Sequence, residues 1–298
     1  MTLILAMLAA AGAIGQSPYS PELEALMRHR DEKRAAEART RIAKEQEGPT
    51  LASVIPAPIA ERLSACLSSA DIKPETGLAE ATKWASQGGG AYAAHCKGYA
   101  LGKAGRFADA AAAFESGAVQ PGADLPTQAR LWSQAGNAAL AGGDPARALA
   151  DLNHALERPL PASLSTGEIH LDRARARVAT GDLKGARSDM DQTLVMAPQD
   201  PLAWLLSATL ARRMDDLPMA RAHIEQAAKL SRNDGDIALE QGVIYALSGD
   251  RDAAAKAAFQ RAQEVAPKGS AVAGKASAYL SQLAEAASAP AAAPPARQ

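Results

Sequence analysis

Cys66 and Cys96 are the two side chains of this sequence whose type and spacing point to a definite reaction. They are its only cysteines, and neither sits in a Cys-x-x-Cys or Cys/His pattern that would hold a metal. In an oxidising compartment two thiols tend to pair; otherwise they pack as small apolar groups. Both readings stay open at this level. The five histidines, His29, His95, His154, His170 and His223, are scattered, and no His-Glu-x-x-His occurs. There is no Gly-x-x-x-x-Gly-Lys-Ser/Thr and no Gly-x-Ser-x-Gly. Gly88-Gly89-Gly90 follows a predicted helix instead of a strand, which argues against a phosphate loop. With no nucleophile–base constellation in view, no catalytic residue, metal or cofactor is assigned, and an enzyme is not expected.

The elements that must position these groups are helices. Apolar residues make up 47% of the 298, yet aromatics only 4%, so most of the apolar share is alanine. Small side chains of high helix propensity suit closely packed helices and suit a sheet poorly. A formal net charge of −1 supplies no field to steer the chain to nucleic acid. The strongest signal is a Gly-x-x-x-x-Ala step that recurs at Gly105/Ala110, Gly143/Ala148, Gly181/Ala186 and Gly249/Ala254, with Asp215/Ala220 as a variant. The spacings are 38, 38, 34 and 34 residues. A period of this size predicts a solenoid of stacked helix pairs. At each step glycine ends one helix in the left-handed conformation and, in Gly143-Asp144, Gly181-Asp182 and Gly249-Asp250, aspartate caps the next. Two connections, around 122–128 and 160–166, are longer and account for the 38-residue spacings.

Residues 91–267 resemble the tetratricopeptide repeat family, whose unit is 34 residues. With Gly105 at repeat position 15, the small residue at position 8 is Gly98, Gly136, Ala174, Ala208 and Gly242. Position 20 is Ala110, Ala148, Ala186, Ala220 and Ala254. The bulky position 24 is Phe114, Leu152, Met190, Ile224 and, one residue late, Phe259, expected to fill the gap between repeats. Position 27 is Gly117, Ala155, Thr193, Ala227 and, with the same shift, Ala262. Closing prolines fall at Pro121, Pro159, Pro198 and Pro267, and the family tryptophan at Trp132 and Trp204.

The expected organisation follows. Residues 1–15 read as a signal peptide: Thr2 to Ile14 are uncharged, and Ala13 and Gly15 are small before Gln16, although no Lys or Arg precedes them. Residues 16–48 form a charged helical arm, and 49–90 a linker with a degenerate leading helix pair. That pair places Leu63 and Cys66 on one helix and Leu78, Ala79 and Trp84 on the other. Five repeats cover 91–267, a capping helix 268–287, and a disordered Ala/Pro-rich tail 288–298. The fold class is all-α, a right-handed solenoid of stacked antiparallel helix pairs with an N-terminal charged helix and a C-terminal cap. The 30 residues between the cysteines approach one repeat length, so adjacent first helices are able to bring them together.

In the family, ligands lie on the face built from the first helix of each repeat. Carried over, the peptide-binding candidates are Tyr92, His95, Tyr99, Lys103, Arg130, Asn137, Arg175, Leu205, Arg212 and Arg213. Repeat position 5 is His95, Ser133, Leu171, Leu205 and Leu239 in turn. The family's carboxylate-clamp subset has lysine at position 5 of its first repeat, where this chain has His95. The resemblance implies a non-enzymatic scaffold or adaptor, and the signal peptide expected at residues 1–15 places it in a bacterial-type cell envelope, periplasmic or secreted. Its partner would be a protein or peptide of acidic character, clamped by Lys103, Arg130 and Arg175. No nucleic acid partner and no stable membrane span are expected. The alternatives are a self-associating structural module, a homo-oligomer built through the residue 22–47 helix, or an accessory subunit of an enzyme complex.

Overall fold

The computed structural model describes residues 55–161, 164–249 and 252–288. The expected signal segment, the charged arm, the first residues of the linker, Asp250 and all but the first residue of the tail lie outside the described residues. Among the described residues there are thirteen helices and no strand: α1 (Ala57–Ile72), α2 (Pro74–Ser86), α3 (Gly90–Lys103), α4 (Phe107–Ala118), α5 (Leu125–Ala141), α6 (Pro145–Leu156), α7 (Thr166–Thr180), α8 (Leu183–Met196), α9 (Pro201–Arg213), α10 (Leu217–Leu230), α11 (Gly235–Leu247), α12 (Asp252–Val265) and α13 (Ala271–Ser288). They form an all-α solenoid of consecutive antiparallel pairs in two compact bodies, α1–α8 and α9–α13.

The turns inside each pair explain the recurring step. Gly105, Gly143, Gly181 and Gly249 have φ between 74° and 85°. Asp215 replaces glycine at the same place with φ 62°, and it is the one described non-glycine residue at positive φ. The left-handed region is open to glycine and tolerated by aspartate, so the fourth repeat makes the same turn under strain. Aspartates then start the following helices. Asp124, Asp144 and Asp182 in the first body, and Asp200, Asp216 and Asp234 in the second, each accept a backbone N–H of the first turn at 2.7–3.1 Å. Each such cap satisfies a donor that the helix start leaves open. α4 lacks this device: Arg106 precedes it and gives no side-chain cap.

Within a repeat the close approach is set by position 8. A Cβ added to Gly98 would stand 2.6 Å from the Phe114 ring, and one on Gly136 2.6 Å from Leu152. Gly242 meets the Phe259 ring in the same way. In these three repeats the bulky side chain at position 24 therefore lies over the glycine of its own repeat's first helix, and Phe259 also stacks on Tyr279 of the helix that follows its repeat. The two helices of a pair cross most closely there, and a ring fits only where the opposing residue has no side chain. Gly117 makes the contact between repeats: its Cβ would lie 2.8 Å from Ala94 on α3 and 3.2 Å from Leu131 on α5.

The leading pair has its own core of Leu63, Cys66, Ala81, Trp84, Ala93 and Cys96. Gly77, not Ala79, turns inward: Ala79 is exposed, whereas a side chain at Gly77 would collide with Ala70 on α1. Cys66 on α1 and Cys96 on α3 are joined as a disulfide, with a Cα–Cα separation of 6.1 Å. At the other end α13 covers the last repeat: Ala276 is fully buried, and Tyr279 stacks on Phe259 with ring centroids 4.9 Å apart. Val272, Leu280 and Leu283 complete the contact.

Candidate functional site

In the first body the first helices α3 and α5 present a continuous polar and aromatic face. Tyr92, His95 and Tyr99 follow one another at helical spacing on α3, as do Arg130, Gln134 and Asn137 on α5. The Gln134 Nε2 to His95 Nε2 contact of 3.1 Å ties the two helices. His95 also meets the Phe114 ring edge-on at 6.2 Å. Burial, and then the positive Arg130, lower the His95 pKa to about 4, so its imidazole is neutral at physiological pH. Burial likewise lowers the Arg130 pKa, partly offset by Tyr92 and Asp124. Asn137 is exposed.

Two of the expected clamp cations already hold carboxylates. Lys103 Nζ lies 2.9 Å from Asp71 of α1. The Tyr99 hydroxyl donates to the same carboxylate at 2.7 Å, and the ammonium stands 5.9 Å from the Tyr99 ring centroid. Arg175 pairs at 2.8 Å with the buried Asp172 one turn earlier on α7. The face is therefore less positive than three bare cations would make it. In the second body Arg212 is bound by both oxygens of Glu240, at 2.7 and 3.3 Å. Burial works against its charge, but Glu240 outweighs this and raises the guanidinium pKa. Arg213 is exposed. Leu205 is 2% exposed and belongs to the core of α9–α11, so it offers no binding surface. Ser133, Leu171 and Leu239 are buried too. Position 5 therefore faces the neighbouring helices in four of the five repeats, and only His95 retains partial access.

The first body also holds two buried acids that the sequence left unremarked. Asp189 on α8 is 2% exposed and is held by three basic side chains of α7: His170 at 2.8 Å, Arg173 at 2.6 Å and Arg177 at 3.0 Å. Arg173 also donates to Asn153 of α6 at 2.9 Å, which ties the third repeat to the second. Asp151 occupies the same repeat position on α6, but in its repeat Ala135 and Ala139 stand where Arg173 and Arg177 stand in the next. It is 3% exposed, and its Oδ2 has no hydrogen-bond partner among the described residues. Burial, and then the adjacent Glu115, raise the Asp151 pKa to about 7. Glu115 itself binds Arg147 in a fork at 2.5 and 2.9 Å.

Among the described residues no group of three or more His, Cys, Asp or Glu side chains is placed to hold a metal ion, and no helix is long and apolar enough to cross a membrane. His154 packs on Trp132 at 4.7 Å and His223 bonds Ser207 at 2.9 Å, so these histidines serve packing.

No curated protein matches the chain in sequence. Among solved structures, YrrB, described as a tetratricopeptide repeat protein, aligns with a TM-score of 0.50 at 16% identity, over 66% of this chain and 96% of its own. A MamA RS-1 double mutant aligns with a TM-score of 0.52 at 16% identity, over 59% of this chain and 93% of its own. These likenesses concern the fold. The tetratricopeptide repeat family model matches in three overlapping segments, residues 133–201, 171–234 and 205–271. Together these segments span residues 133–271, and that stretch matches the tetratricopeptide repeat family.

Proposed function

We propose that the protein is a scaffold that binds an extended polypeptide segment on the face of α3 and α5. The observation that carries this reading is the juxtaposition of Tyr92, His95, Arg130, Gln134 and Asn137 on two neighbouring first helices, joined by the Gln134–His95 contact. Aromatic and arginine side chains are residue types in which binding energy concentrates. The Asn137 amide both donates and accepts, which matches a peptide backbone without selecting side chains. The neutral His95 offers one donor or acceptor of the same kind. Acidic character in the ligand is read from the positive charge of Arg130 on this face, which a carboxylate would complement. It is not favoured at Lys103 or Arg175, where Asp71 and Asp172 would have to be displaced. YrrB is described as having an unusual peptide-binding site. That description gives a precedent for peptide binding on this fold.

The same reading sets the protein in an exported, oxidising compartment. The uncharged apolar run before Gln16 and the Cys66–Cys96 pair both support it. The binding claim is tested by comparing proteins captured by the wild type with those captured by Arg130→Ala and Asn137→Ala. Loss of the same partner in both variants is expected; an unchanged set of partners would sink the reading. The export claim is tested by sequencing the mature N-terminus, expected near Gln16; an intact Met1 on cytoplasmic protein would overturn it.

A further inference from the structure

The second body contains a cavity of about 590 Å³ between α10, the α10–α11 turn, α11 and α12. Its volume is within the range of small-molecule sites. Lys229, Arg232 and Arg261 line it against a single acid, Glu225. This is a local excess of positive charge in a chain whose net charge is −1.

The floor is built by side-chain bonds. Gln241 of α11 is 6% exposed, so its amide is nine-tenths buried. Its Oε1 accepts from Arg261 Nη2, and its Nε2 donates to the Tyr245 hydroxyl at 3.0 Å. Tyr245 in turn donates to Glu225 at 3.2 Å. This chain orients the Arg261 guanidinium, and Glu225 keeps its negative charge, so the three cations of the lining exceed it by two. Arg261 Nε is buried and has no hydrogen-bond partner among the described residues. Lys229 and Arg232 are exposed at the rim, and among the described residues neither is ion-paired. A guanidinium held in place by Gln241 beside two exposed cations is suited to several negative oxygens at once.

We propose that this cavity binds a small oxyanion of two or more negative charges, a phosphate compound or a polycarboxylate. The Arg261 guanidinium donates to one oxygen, the Asn233 amide stands at the mouth, and Lys229 and Arg232 close over the remaining charge. The site is independent of the peptide-binding face, since it draws on α10, the turn after it, α11 and α12.

The test uses the full chain, with thermal unfolding followed against increasing sodium pyrophosphate or citrate and sodium chloride of equal ionic strength as reference. A saturable rise in Tm above the chloride reference, with either anion, is expected. The paired variant Lys229→Ala/Arg232→Ala removes only exposed side chains, so its fold is retained. Its half-saturating concentration should rise by at least about tenfold, the loss expected for removing charge-assisted hydrogen bonds. Arg261→Gln should abolish the response, while Lys256→Ala, an exposed change on α12 outside the cavity, should leave it as in the wild type. The response of pyrophosphate alone or citrate alone assigns the chemical source within the class. A rise no larger than with chloride, or one unaffected in the paired variant, overturns the proposal.

Discussion

Asp151 and Asp189 hold the same repeat position in consecutive repeats and should respond in opposite ways to the same change. Asn removes the charge of either with almost no change in volume. At Asp189 it leaves Arg173 and Arg177 without their shared carboxylate. Breaking a buried pair by removing one partner costs about 3–5 kcal/mol. The guanidiniums here are 17% and 22% exposed, so about 2–4 kcal/mol is expected for Asp189→Asn. At Asp151 the folded state prefers the protonated form, since its pKa is raised from 3.8 to about 7. The contribution of the bound proton is complete below the unfolded value and is lost as pH rises through about 7. A shift of roughly three units sets an upper bound near 4 kcal/mol at about 1.4 kcal/mol per unit, and screening through the partly solvated Glu115–Arg147 pair reduces it to about 1–2 kcal/mol. Asp151→Asn should therefore be nearly neutral below pH 4 and stabilising by about 1–2 kcal/mol at pH 8. His95 adds an opposing slope between its unfolded 6.5 and folded value of about 4, but it is common to both proteins and cancels in the difference. Urea unfolding of wild type, Asp151→Asn and Asp189→Asn across pH 4–8 measures all of this. A difference for Asp151→Asn that is flat with pH, or destabilising at pH 8, would refute the reasoning, as would a harmless Asp189→Asn.

Other consequences are as direct. Asp215→Gly relieves a left-handed backbone at φ 62° and should stabilise the second body by about 0.5–1 kcal/mol in thermal unfolding. Gly274→Ala places a methyl in open space within α13 and should add about 0.5–1 kcal/mol, read by the same assay. Replacing both Cys66 and Cys96 with Ser should cost about 3–4 kcal/mol in the chain-entropy model, and faster amide exchange should concentrate in α1 and α2. Leu205→Ala should cost about 2–5 kcal/mol of stability, as a core residue does; a loss of partner binding at unchanged stability would restore it to the surface.

The frame was readable because it repeats. One glycine proves little, but five turns in register set Asp215 where the other repeats have a glycine, and its φ of 62° follows from that place. The aspartate caps at 144 and 182 were legible for the same reason, since a cap acts on the next three residues and leaves its mark locally. What escaped the sequence depends on contacts across helices. The Asp71–Lys103 pair joins α1 to α3, and nothing near either residue announces the other. The Arg175–Asp172 pair, by contrast, lies three residues apart on one helix and was open to a spacing argument. Leu205 was misplaced because a transferred position number carries no information about burial, and an apolar side chain there is drawn into the core. Ala79 and Gly77 differ by one methyl and two positions, and only the closeness of α1 decides which turns inward.

The central claim is that the α3–α5 face holds a polypeptide. A photo-crosslinking residue placed at Asn137, on that face, and separately at Lys184, exposed on the second helix α8, tests it in cells producing the full chain. The account predicts a discrete protein adduct from position 137 that disappears when Arg130→Ala is added, and none above background from position 184. Equal labelling from both positions, or an adduct at 137 indifferent to Arg130, would contradict it.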